Sequence, residues 1–121
     1  MKKLLITLLL ISPFSFADWG DVYYCQETNS SGITVEGKKE NYILEKFQFK
    51  LDKTKKAMVF GKDGFFSNSE IEVVEGRAWP AQEMWYANTD YSLLYFDKGT
   101  VLYVATGPTG INSISADCDK F

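Results

Sequence analysis

From residue 18 onward, apolar side chains recur at every second position in short runs, and polar, glycine-bearing connections separate the runs. That period belongs to half-buried β-strands and not to helices. The clearest run is 42–51, where Phe47, Phe49 and Leu51 share one face and Lys46, Gln48 and Lys50 the other. After the polar turn 52–55, residues 56–60 return as the partner of a hairpin. Residues 22–27 predict a first strand carrying Cys25, and 33–36 a short strand inside the polar stretch 28–41. Residues 70–75 alternate again, with Ile71 and Val73 opposite Glu70 and Glu72.

Farther on, 91–96 and 100–106 flank Asp97-Lys98-Gly99, a short connection whose glycine suits the left-handed conformation that closes hairpins. The last strand, 111–118, puts Ile114, Ala116 and Cys118 on one face. Residues 77–88 allow two readings. Pro80 can open a short helix through Trp85, or it can mark a turn before a strand over 84–88. The strand is favoured, with Trp85 on one face and Met84 and Tyr86 on the other.

Seven to nine short strands with tight turns form a meander that either closes into a barrel or folds into a sandwich. The chain has two cysteines, without C-x-x-C spacing and without flanking cations, so Cys25 and Cys118 are expected to form a structural disulfide. In a meander, first and last strands become neighbours only if the sheet curls round on itself. The expected fold is therefore all-β: a small antiparallel meander closing into a barrel of seven to nine strands, its N- and C-terminal strands tied by the disulfide.

The N-terminus explains how a disulfide would arise. Lys2 and Lys3 precede an apolar run over 4–11, and Ser15-Phe16-Ala17 offers small residues where a signal peptidase cuts. Residues 1–17 are expected to be a signal peptide and 18–121 a single domain, with no membrane anchor after cleavage and a periplasmic or extracellular destination. Losing both lysines takes the formal charge from −3 to −5. Such a domain has no electrostatic reason to bind nucleic acid. A monomer is expected.

Histidine is absent. That removes imidazole-based nucleophile pairs and the usual zinc and copper ligand sets, so no metal or other cofactor is expected. Glycoside hydrolysis needs only carboxylates. However, Glu70 and Glu72 read as the wet face of a strand, and Asp117 and Asp119 point away from the Cys118 side. Asp63-Gly64 lacks the ladder of a calcium loop and reads as a turn. A non-enzyme is expected.

Candidate binding residues are aromatic. Trp79, Trp85 and Tyr86 lie close in sequence to Tyr91, Tyr95, Phe96 and Tyr103. Tyr91, Leu93 and Tyr95 alternate with Leu94 and Phe96, so both strand faces are apolar. One must line the core; the other is either covered by the 79–85 segment or open to a partner. Phe65 and Phe66 sit in an otherwise polar loop, 61–69, as an exposed tip or as a plug for one barrel end.

A Tyr23-Tyr24-Cys25 start, a hairpin meander and a closing Cys118 resemble small periplasmic disulfide-closed β-barrel proteins, among them inhibitors of C-type lysozyme. The S-G-x-x-Y and K-G-D-E loops of those inhibitors have no counterpart here, and no functional residue carries over. The expected function is a non-catalytic exported binding domain that holds a small apolar molecule or a protein. The alternatives are an inhibitor of a cell-wall or host hydrolase, using 61–69 as a protruding loop, and a small carboxylate-based hydrolase.

Overall fold

A computed structural model describes residues 17–78 and 82–121. Among them are ten strands and no helix: β1 (Val22–Thr34), β2 (Lys39–Asn41), β3 (Lys46–Asp52), β4 (Ala57–Phe60), β5 (Glu70–Glu72), β6 (Val74–Ala78), β7 (Gln82–Asn88), β8 (Ser92–Asp97), β9 (Thr100–Gly107) and β10 (Gly110–Lys120). All pairings are antiparallel, in the order β5-β4-β3-β1-β10-β9-β8-β7-β6, with β2 added to β1.

The two ends of that order, β5 and β6, are consecutive in sequence with only Val73 between them. One interrupted strand thus pairs β4 with its first half and β7 with its second. The sheet is thereby nearly closed into a barrel of eight strands. Val73 keeps the alternation across the break: its side chain is buried, and its N–H still bonds the Lys56 carbonyl at 3.0 Å. Near-closure leaves little of the unpaired edge that an aromatic-rich open sheet would expose.

Cys25 and Cys118 stand opposite each other on β1 and β10 and are disulfide-bonded. The expected barrel with its tied terminal strands is the observed architecture. The bond locates this fold in an oxidising compartment. No helix among the described residues is long and apolar enough to cross a membrane.

Inside, aromatic rings form a continuous column. Tyr23, Phe49 and Phe96 contact one another with centroids 4.8–5.3 Å apart. Phe60 links this group to Phe66 and Phe47, and Phe66 meets Tyr103 at 4.9 Å. Trp19 packs edge-on against Trp85 at 4.7 Å at the end where the Gly20 N–H bonds the Leu51 carbonyl.

The first strand is longer than its pattern predicts. It continues to Thr34, because an irregularity between Glu27 and Asn29 absorbs the extra residue Thr28. The bulge reverses the alternation, so that Ser31 stands opposite Ser113 on the outside while Gly32 is buried. The short strand expected at 33–36 is instead the hairpin from β1 into β2, in which the Thr34 N–H bonds the Lys38 carbonyl. Residues 42–45, read as the start of the next strand, lie outside it. Glu45 is held there by two bonds to Glu27: its N–H donates to Oε1 and its carbonyl accepts the Glu27 N–H, both at 3.0 Å.

Candidate functional site

Strands β8 and β9 are apolar on both faces, and the barrel separates their side chains. Leu94, Phe96 and Val101 point inward and are fully buried. Leu93, Tyr95, Leu102 and Val104 point outward. The register aligns them: Tyr95 opposes Leu102, and Leu93 opposes Val104. On the other side Tyr95 opposes Tyr86, which opposes Val74. The result is one row of four, Val74–Tyr86–Tyr95–Leu102, beside the pair Leu93–Val104, without a charged side chain among the six. Apart from half-buried Tyr86, they remain 37–54% exposed.

The patch ends abruptly at β10, where Ser113 and Ser115 occupy the next outward positions opposite Val104 and Leu102. Their hydroxyls bond onward to Ser31 at 3.3 Å and Thr28 at 2.8 Å, forming a polar border. Large apolar side chains on β7–β9 thus meet a hydrogen-bonding border on the β10 side.

The aromatic residues singled out from sequence separate accordingly. Trp79 lies outside the described residues. Trp85 is buried inside the barrel, so it does not cover the outer face. Tyr86 belongs to the patch. Phe66 is buried among Phe47, Phe60 and Tyr103, while Phe65 beside it is 48% exposed and contacts Phe66 and Tyr103.

Hydrogen bonds tie the loop over 61–69 to β3 and to itself. Gly61 N–H bonds the Gln48 carbonyl at 3.0 Å, Asn68 N–H closes back on Gly61 at 2.7 Å, and Ser67 Oγ donates to the Lys62 carbonyl at 2.7 Å. A loop so anchored plugs with one phenylalanine and shows the other. Leu102 and Val104 were not singled out from sequence, although the signal was present: a strand apolar on both faces cannot bury both in a closed barrel.

The acids weighed for glycoside hydrolysis lie on the outside of the barrel. Glu70 and Glu72 are exposed, and Glu70 is bonded to Lys55 at 2.7 Å. Among the described residues, no three of His, Cys, Asp and Glu are placed to hold a metal. Among the described residues one carboxyl is buried: Glu27, 2% exposed, with Oε2 lacking a partner. Burial pushes it above its ordinary range; the Glu45 N–H opposes this and the Glu45 charge adds to it. Comparison with protein-family models, with curated proteins and with solved structures finds no match for this chain.

Proposed function

We propose that the chain is an exported, non-catalytic binding domain that recognises a protein through the outer face of β7–β9. The signal-like N-terminus supports export, as does the disulfide. The aromatic column occupies the interior where an apolar ligand would otherwise sit, which favours the outside of the barrel as the contact surface. The observation that carries the reading is the alignment of Tyr95 with Leu102 and Leu93 with Val104 on an uncharged, exposed face.

Native mass spectrometry of the protein purified from its own compartment tests this. Wild type should carry a second protein in fixed stoichiometry. The double variant Tyr95→Lys, Leu102→Lys should keep its melting temperature within a few degrees and lose that partner. A retained small hydrophobic compound, held equally by both proteins, would place binding inside the barrel and overturn the reading.

A further inference from the structure

We infer a second binding site, specific for an uncharged or amine-bearing saccharide, in the groove on the outer face of β10, β1 and β3 above the disulfide. The groove has a volume of about 390 Å³, within the range of small-ligand sites. Two cross-strand rows make its floor. In one, Tyr24 stands between Gln48 and Asp119; in the other, Gln26 stands between Lys46 and Asp117. Asp63, from the anchored loop over 61–69, adds a wall.

The chemistry of these rows is that of hydroxyl recognition. Tyr24 is 46% exposed and its ring packs against Phe121 at 5.5 Å, which fixes a flat apolar platform. Sugar rings present a C–H face that stacks on such a platform. Around it lie two primary amides and three carboxylates, groups that engage neighbouring hydroxyls two at a time. Gln26 is already oriented: its Nε2 donates to the carbonyls of Glu27 and Glu45, leaving Oε1 to accept.

Spacing agrees with the assignment. Opposed side chains on neighbouring strands stand roughly 5 Å apart, and same-face residues along a strand roughly 7 Å. A grid of that pitch matches the separation of hydroxyls across and between pyranose units. The floor is rigid as well, because the Cys25–Cys118 bond lies directly beneath both rows. Three acids against Lys46 disfavour anionic ligands, while Lys46 at the β3 end of its row opposes a run of cationic side chains.

A glycan array probed with the folded, oxidised protein, followed by calorimetric titration with N-acetylglucosamine and glucosamine tetramers, tests the site. At least one neutral or amino glycan should bind, and sulfated glycans should not. Tyr24→Ala should weaken that binding about tenfold, and Gln26→Ala should weaken it severalfold, without change in melting temperature. Tyr95→Lys should leave it unchanged, so this site and the β7–β9 face fail or stand separately. The inference is overturned if wild type holds no glycan, if the affinity survives Tyr24→Ala, or if a lysine-rich peptide binds the groove in place of any glycan.

Discussion

Glu27 and Glu45 clasp each other by backbone and side chain together: each donates its N–H to an oxygen of the other at 3.0 Å, and the second carboxyl oxygen of Glu27 is buried without a partner. The clasp brings residues 42–45 back to the barrel wall before β3 begins. Its cost is a carboxyl in a poorly hydrated place.

That cost sets a pH dependence. The folded-state pKa of Glu27 is raised above its ordinary 4.5, so the folded protein holds this proton more tightly than the unfolded chain. Stability from this group is complete below about 4.5 and declines as pH rises through the folded value. Glu27→Gln removes the decline. Thermal melts at pH 4 and pH 8 should show a larger melting-temperature gain, or smaller loss, for the variant at pH 8; a pH-independent difference would refute the assignment.

Cys25 and Cys118 close a loop spanning 93 residues. On the chain-entropy account such a link is worth about 4–5 kcal/mol, a large share of the total for a domain of this size. Replacing both cysteines with alanine should lower the denaturant midpoint steeply with little change in slope. If the midpoint moves by less than about 1 kcal/mol equivalent, the barrel holds its terminal strands without the bond.

Phe65 and Phe66 should respond unequally. Truncating buried Phe66 to alanine leaves a void among Phe47, Phe60 and Tyr103 and should cost about 3–5 kcal/mol. Phe65→Ala, at a half-exposed position, should cost about 1 kcal/mol or less. Equal losses in chemical denaturation would mean that both rings plug the barrel.

Lys98 sits at φ 50° beside Gly99 at φ 82°, two left-handed residues in a row between Asp97 and Thr100. This is the turn whose twist suits a two-residue hairpin, and asparagine tolerates the first position better than lysine. Lys98→Asn should stabilise by about 0.5 kcal/mol, seen as a rise of a few degrees in melting temperature. A fall would show that the lysine side chain contributes more than its backbone strain costs.

At the far end of β1, Gly32 approaches β10 so closely that an added Cβ would meet the Ile111 carbonyl oxygen at 2.6 Å and Asn112 Oδ1 at 2.7 Å. Backbone cannot yield there as a flexible side chain would. Gly32→Ala should destabilise by about 2 kcal/mol, and amide exchange should accelerate first over 29–34 and 110–115. Unchanged exchange in those strands would contradict the close approach.

Much of the fold was legible in the chain itself. The alternation of Phe47, Phe49 and Leu51 with Lys46, Gln48 and Lys50 is local information, since side chains on a strand must point to opposite faces whatever lies nearby. The Asp97–Thr100 turn is equally local, because only the residues within it set its backbone angles. The two cysteines carried the one long-range constraint, and it sufficed to bring the ends of the meander together.

The bulge at Thr28 and the length of β1 were not legible. Whether a polar run such as 28–34 extends as strand depends on β10 and β2 being present on either side to accept its hydrogen bonds. The same holds for Phe65-Phe66, where adjacency in sequence says only that the two rings diverge. Position along the chain and the period of its apolar residues therefore determined which side chains share a face. Only the tertiary structure decided which face looks inward at Tyr95 and Leu102, and that Tyr24, Gln26, Asp117 and Asp119 meet in one groove. Those outcomes depend on which strands become neighbours, and neighbours here come from distant parts of the chain.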